Sequence, residues 1–164
     1  MKNTMKLQVR LLFLALLGAF VMVACNRNNN VAPEKEDGFQ LQTNGEEYTK
    51  LVNARTEYKG TPFEIKSVTR DGDILKISVE GGCLESDYKV VWDGILMESY
   101  PEQARLVVYH EQTQNIQCLV IGKFTLEVDM KKLFGRTGVI VHVANGSQVK
   151  DISINPDGSV TDKP

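Results

Sequence analysis

The stretch RDGDILKISVE, residues 70 to 80, decides the fold. Leu75, Ile77 and Val79 alternate with Lys76, Ser78 and Glu80. A period of two places one set of side chains on each face of a strand, so this segment reads as a strand with one face buried. Phe63-Glu64-Ile65-Lys66-Ser67-Val68-Thr69 precedes it as a second strand-like run. Asp71-Gly72 lies between the two. That dipeptide predicts a hairpin, because a type I′ turn needs positive φ at both central residues.

The same grammar recurs downstream. Val139 to Val143, Asn145-Gly146 and Val149 to Ile154 predict a second hairpin. Strands are expected near Tyr88 to Trp92, Ala104 to His110, Ile116 to Ile121 and Phe124 to Val128. Asp129 to Gly135 reads as one helical turn closing on a glycine. Residues 38–60 lack a decisive period and have room for one further strand. About seven short strands with regular turn signals predict an all-β fold. The expected architecture is an antiparallel, immunoglobulin-like β-sandwich forming a single domain over residues 38–164.

The beginning of the chain has a different character. Lys2, Lys6 and Arg10 precede an uncharged, almost wholly apolar run of 14 residues, Leu11 to Ala24. A bilayer-spanning helix needs roughly 20 such residues, whereas the apolar region of a secretory signal has about 7 to 15. The run closes on Met22-Val23-Ala24-Cys25, which resembles the bacterial lipobox. That resemblance implies lipid on the Cys25 thiol, cleavage before it and acylation of the new α-amine. Residues 1–24 are then a discarded signal peptide. An ordinary signal peptide with an incidental cysteine is the alternative.

Residues 25–37 are expected to be the lipidated cysteine and a tether. The segment from Asn26 to Asp37 is polar and charged, contains Pro33 and shows no hydrophobic period. Asn26, rather than Asp, follows the cysteine; by the enterobacterial sorting rule this implies the outer membrane. Fully extended, the 12 residues from Asn26 to Asp37 would reach roughly 40 Å. The whole chain has a net charge of −2. Removing Lys2, Lys6 and Arg10 with the leader leaves 16 Lys and Arg against 21 Asp and Glu, a net of −5. Such a domain is ill suited to nucleic acid, whose phosphates need a basic patch. The expected membrane contact is the lipid on Cys25.

With Cys25 committed to lipid, Cys83 and Cys118 form an even pair in an exported chain, the usual setting for a structural disulfide. A bridge closing 35 residues would stabilise by roughly 4 kcal/mol in the chain-entropy account. Two free thiols buried as small hydrophobes are the alternative. Zinc sites want ligands in close pairs, and here the cysteines and both histidines are scattered.

One resemblance spans roughly residues 65–145. Gly81-Gly82-Cys83, Tyr88 to Trp92, Tyr100-Pro101-Glu102-Gln103, a strand ending at His110, Cys118, and Phe124 to Leu133 follow in that order. This is similar to small β-sandwich lipoproteins of Gram-negative anaerobes, including those grouped as NigD-like. Members often carry a histidine three residues after the first cysteine, where this chain has Ser86. They often carry an acidic residue near the second, where Asn115, Ile116 and Gln117 stand here. The resemblance implies an extracytoplasmic β-domain and no particular activity. If that histidine belongs to a ligand site, this chain lacks it.

Sequence signs of catalysis are sparse. His110 and His142 lie in apparent strands, and nucleophilic catalysis needs a base beside a nucleophile. No nucleophile elbow, zinc-protease helix, phosphate loop or dinucleotide fingerprint is present. Glu80, Glu85 and Asp87 gather around Cys83, and Asp71 and Asp73 flank a turn. Trp92 reads as core, while Tyr48, Tyr58 and Tyr100 read as loop-borne. The leading expectation is a non-enzymatic, lipid-anchored envelope module without catalytic residues, cofactor or metal. Its partner would be another envelope protein or an extracellular ligand. The rivals are an inhibitor of secreted peptidases using the loop from Gly94 to Gln103, and a glycan hydrolase using Glu85 and Asp87.

Overall fold

The computed structural model describes residues 31–36, 38–60, 62–111 and 120–163, and side chains within 38–161 of these. The leader, Cys25 and Cys118 lie outside the described residues, as does most of the strand expected at Ile116 to Ile121. The chain is an all-β sandwich with few helices. Its strands are β1 (Val31–Glu36), β2 (Phe39–Thr43), β3 (Glu64–Asp71), β4 (Ile74–Glu80), β5 (Tyr88–Met97), β6 (Gln103–His110), β7 (Lys123–Asp129), β8 (Ile140–Asn145), β9 (Asp151–Ile154) and β10 (Val160–Lys163). They form a seven-stranded sheet ordered β1-β2-β5-β6-β8-β9-β10 and a three-stranded sheet ordered β3-β4-β7.

The alternation in β4 does what its period requires. Leu75, Ile77 and Val79 are buried, and they meet Ile65 and Val68 of β3 and Leu126 and Val128 of β7 in one core. The inner face of the large sheet supplies the other half, including Val90, Leu106, Val141 and Ile154. The turn between β3 and β4 is Gly72-Asp73, with φ +60° at Gly72 and no positive φ at Asp73. A single positive φ, at the first central residue, marks a type II′ turn rather than the expected type I′.

The second hairpin also differs in its turn. β8 and β9 pair antiparallel, with Val143 opposite Ile152. Their connection runs through residues 146–150, and Asn145 N–H donates to Lys150 O at 3.1 Å. The Asn145 side chain is engaged elsewhere, donating to Phe63 O at 3.1 Å.

Two pairings break the antiparallel pattern expected. β2 runs parallel to β5, and β6 parallel to β8. Parallel neighbours need a long crossover. The chain makes each one by visiting the small sheet, through β3–β4 in the first case and β7 in the second. The segment read as tether also contains strand β1, paired antiparallel with β2. Without it, β2 would present an unpaired row of backbone N–H and C=O groups at the sheet edge.

The uncertain region 38–60 forms β2 and a helix, α1 (Gly45–Ala54). Asn44 caps the helix, its side chain accepting from Glu47 N–H at 3.0 Å. Glu46 and Glu47 in the first turn suit the positive end of the helix dipole. Leu51, with Tyr48 and Val52, packs on Val91, Val107 and Ala144 of the outer sheet face. A second helix, α2 (Met130–Phe134), fits the predicted turn, with Asp129 as N-cap and Gly135 at φ +74° as C-cap.

Arg70 ties the layers together. From β3 its guanidinium donates to the carbonyls of Thr137 at 2.6 Å, Val139 at 3.0 Å and Asn155 at 3.1 Å. Burial pushes its pKa down, but the carbonyls satisfy the charge. Arg70→Ala should lower unfolding free energy by about 2 kcal/mol in urea titrations, because hydrogen bonds to a charged group are worth roughly 1.5–3 kcal/mol. Arg70→Lys should recover only part, since an ammonium cannot span three carbonyls with the guanidinium fork.

Candidate functional site

One end of the sandwich carries the most distinctive geometry. β3 begins there, β4 ends, and the chain turns through Gly81-Gly82-Cys83. Beneath this turn lies an aromatic knot. The Tyr88 ring meets Phe63 at 5.4 Å, His110 at 4.8 Å and Phe124 at 5.8 Å between centroids. Offset and edge-on ring contacts of this kind add to plain area burial. Tyr88 Oη donates to Gly81 O at 3.1 Å, and burial drives the pKa of its phenol up.

The glycines are dictated by this knot. A Cβ on Gly82 would sit 2.2 Å from His110 Nε2, and one on Gly81 would sit 2.6 Å from Phe63 Cβ. Both residues also hold positive φ, +147° at Gly81 and +61° at Gly82, which side-chain-bearing residues rarely adopt. Gly122 closes the roof: Gly81 N–H donates to Gly122 O at 2.9 Å, and Gly122 N–H to Gly82 O at 3.0 Å.

Above the roof opens a cleft of about 560 Å³. Phe63, Val120 and Ile121 give it an apolar side, and Glu64, Lys66 and Glu80 a charged one. Val120 and Ile121 are 79% and 65% exposed, unusual for branched aliphatic side chains. Lys66 Nζ lies 2.8 Å from Glu64 and 3.7 Å from Glu80. The Lys66 ammonium, through hydrogen bond and charge, holds the Glu64 carboxyl below its usual pKa, and Glu64 raises that of Lys66. Lys123 lies 3.8 Å from Glu80 as well, so two ammonium groups face two carboxylates along this rim.

The carboxylates around Cys83 and the β3–β4 turn have different surroundings. Glu80 stands on the rim, 3.7 Å from Lys66 and 3.8 Å from Lys123. Glu85 and Asp87 bound a single 3-10 turn, where Asp87 is buried and Glu85 lies against Gly38. Asp71 pairs with Lys76 at 2.9 Å, which lowers its pKa. Cys83 is half-buried beside the cleft floor. Among the described residues, no group of three His, Cys, Asp or Glu side chains could hold a metal ion.

Both histidines are strand residues, in very different surroundings. His142 contacts Ser153 Oγ through Nδ1 and Gln103 Oε1 through Nε2, each at 2.7 Å. His110 is 2% exposed, and among the described residues neither ring nitrogen has a hydrogen-bond partner. Trp92 packs into the core, edge-on to Phe134 at 5.1 Å. Of the tyrosines read as loop-borne, Tyr48 sits on α1 and Tyr58 donates to His110 O at 2.8 Å. Tyr100 is fully exposed. Half of the segment proposed as an inhibitory loop is strand, since β5 extends to Met97 and β6 begins at Gln103. Only residues 98–102 form a turn, with Gln103 Nε2 donating to Ser99 Oγ at 3.1 Å.

Comparison with known proteins finds no matching family model, no matching curated protein and no matching solved structure.

His110 gives the domain a pH signature. Burial lowers its folded-state pKa, against a smaller opposing effect of Asp87. An unfolded chain protonates histidine near pH 6.5. Above that pH the residue is neutral in both states. As pH falls below it, the unfolded chain takes up a proton that the folded core resists, so stability declines. Urea midpoints should therefore fall between about pH 7 and pH 5, and His110→Leu should flatten that decline. An unchanged pH profile in the variant would assign the acid sensitivity elsewhere.

Proposed function

We propose that this chain is a lipid-anchored cell-envelope protein whose β-sandwich acts as a non-enzymatic binding module. The observation that carries the address is the 14-residue apolar run closing on Met22-Val23-Ala24-Cys25. A run of that length suits a secretory signal better than a membrane span. Two or three acyl chains at one cysteine anchor stably where a single chain is marginal. The resemblance to NigD-like lipoproteins supports an extracytoplasmic domain, and Asn26 after the cysteine favours the outer membrane.

The sandwich-end cleft is the proposed binding place. Its apolar side suits an aliphatic or aromatic group, and its rim of carboxylates and ammonium groups suits neighbouring polar groups. A protein or peptide segment offers both within a few residues. That chemistry supports an envelope protein or extracellular peptide as the partner. The domain's negative balance disfavours nucleic acid.

A Cys83–Cys118 disulfide belongs to the same proposal. Gly122 hydrogen-bonds to Gly81 and Gly82, bringing the chain four residues past Cys118 against the residue before Cys83. Four residues of chain reach at most roughly 13 Å, a span that permits the Cα separation of under about 7 Å that a bridge requires. The bridge would fasten the apolar lip of the cleft to its floor.

Intact mass of the protein from native membranes, without reductant, tests address and bridge together. The expected mass is that of residues 25–164 plus acyl chains, lighter by two hydrogens. Cys25→Ala should move the protein out of the membrane fraction. An uncleaved or unlipidated wild-type chain would overturn the anchor, and a mass two hydrogens heavier would overturn the bridge.

A further inference from the structure

Strand β7 has a free edge with an unusual self-matching pattern. Among the described residues it pairs with β4 alone. The register is unbroken over all seven residues, from Lys123 opposite Glu80 to Asp129 opposite Ile74. Met130 N–H donates to Asp73 O at 2.9 Å. By the alternation of an antiparallel ladder, Phe124, Leu126 and Val128 therefore make the hydrogen bonds to β4. The N–H and C=O groups of Lys123, Thr125 and Glu127 point the other way. Among the described residues nothing accepts or supplies those bonds.

Natural sheets usually blunt such edges. The opposite edge of the same sheet is blunted: β3 carries a register shift between Ile65 and Ser67, at Lys66. β7 has no bulge, no proline and no glycine. Its side chains alternate cleanly, with Lys123, Thr125 and Glu127 exposed and Leu126 and Val128 buried.

We propose that β7 pairs antiparallel with β7 of a second copy, about a two-fold axis at Leu126, joining two three-stranded sheets into one. The free backbone groups have the right parity. In that register the hydrogen-bonded pairs are Thr125 with Glu127 and Lys123 with Asp129, and Leu126 meets itself in a non-hydrogen-bonded pair. Charge fits as well. Lys123 of one copy stands opposite Asp129 of the other and diagonal to Glu127, on the same face, twice over by symmetry. Opposite charges directly across a ladder stabilise it and like charges destabilise it. Phe124, which is only partly buried, comes opposite Val128 and gains cover on the inner face. A self-complementary patch of this kind is what a two-fold interface requires.

Sedimentation equilibrium of the full chain in density-matched detergent provides the test. A concentration-dependent doubling of protein mass is expected. Thr125→Pro removes an outward N–H without touching the β4 ladder, and should weaken association at least roughly tenfold while leaving the unfolding midpoint in place. Lys123→Glu sets like charges across the two-fold axis and should weaken association comparably. Adding Glu127→Lys to it restores a diagonal attraction and should recover part of the loss. If Thr125→Pro fails to fold, the two charge variants decide the matter. A monomeric wild type at every concentration would overturn the proposal, including the case in which β7 captures a different protein. A dimer indifferent to both Thr125→Pro and Lys123→Glu would overturn it too.

Discussion

The middle of the large sheet has no polar face, and the remaining layers exist to cover it. Val90 and Val91 are adjacent and both fully buried, as are Leu106, Val107 and Val108. Neighbouring residues on a strand point to opposite sides, so both sides of β5 and β6 must be kept from water. The three-stranded sheet covers one side and α1 the other. The domain is therefore three layers deep at its centre, with β5 and β6 as the innermost strands. Truncating Val107 would open a void under the helix, whereas truncating Leu106 would open one between the sheets.

This arrangement explains why the polar fastenings lie at the periphery. Arg70 grips three carbonyls where the sheets meet near α2, and Asn145 and Ser147 hold Phe63 O at the other end. Beyond the helix C-terminus, Arg55 pairs with Asp151 of β9. Asp93 is buried in β5 and bound by Arg105, whose guanidinium also lies 5.7 Å from the Tyr48 ring centroid. Arg70, Asn145 and Arg55 each tie a cover layer to the central sheet, and Arg105, on the central sheet itself, reaches α1 through the Tyr48 ring.

How much of this could be read from the residues varied with how local the cause was. Leu75, Ile77 and Val79 announced β4 because a half-buried strand writes its period directly. Asp129 and Gly135 announced α2 because caps are local chemistry. The helix α1 went unread although Asn44 and Glu47 form a capping pattern, because only Leu51 on it is fully buried. The consecutive apolar runs at 90–91 and 106–108 were the available sign that something covers the second face. The parallel joins left no local trace, since they depend on which sheet the chain visits between strands. The cleft was out of reach for the same reason: Phe63, Gly82 and Ile121 are distant in sequence and meet only through β3, β4 and the approach to β7. The two glycines at 81 and 82 were visible, but their cause, the His110 and Phe63 rings beneath them, was not.

Strand β1 bears on how high the domain could stand above a bilayer. With Val31 already committed to pairing opposite Thr43, five residues separate it from Cys25. At full stretch such a leash spans about 20 Å, half the clearance that an unpaired stretch through Asp37 would give. A lipid on Cys25 would then keep the β1–β2 margin of the large sheet close to the headgroups. The excess negative charge would push the rest of the domain outward from an anionic surface. Two such molecules on one membrane would share a common altitude, reducing their search for one another from three dimensions to two.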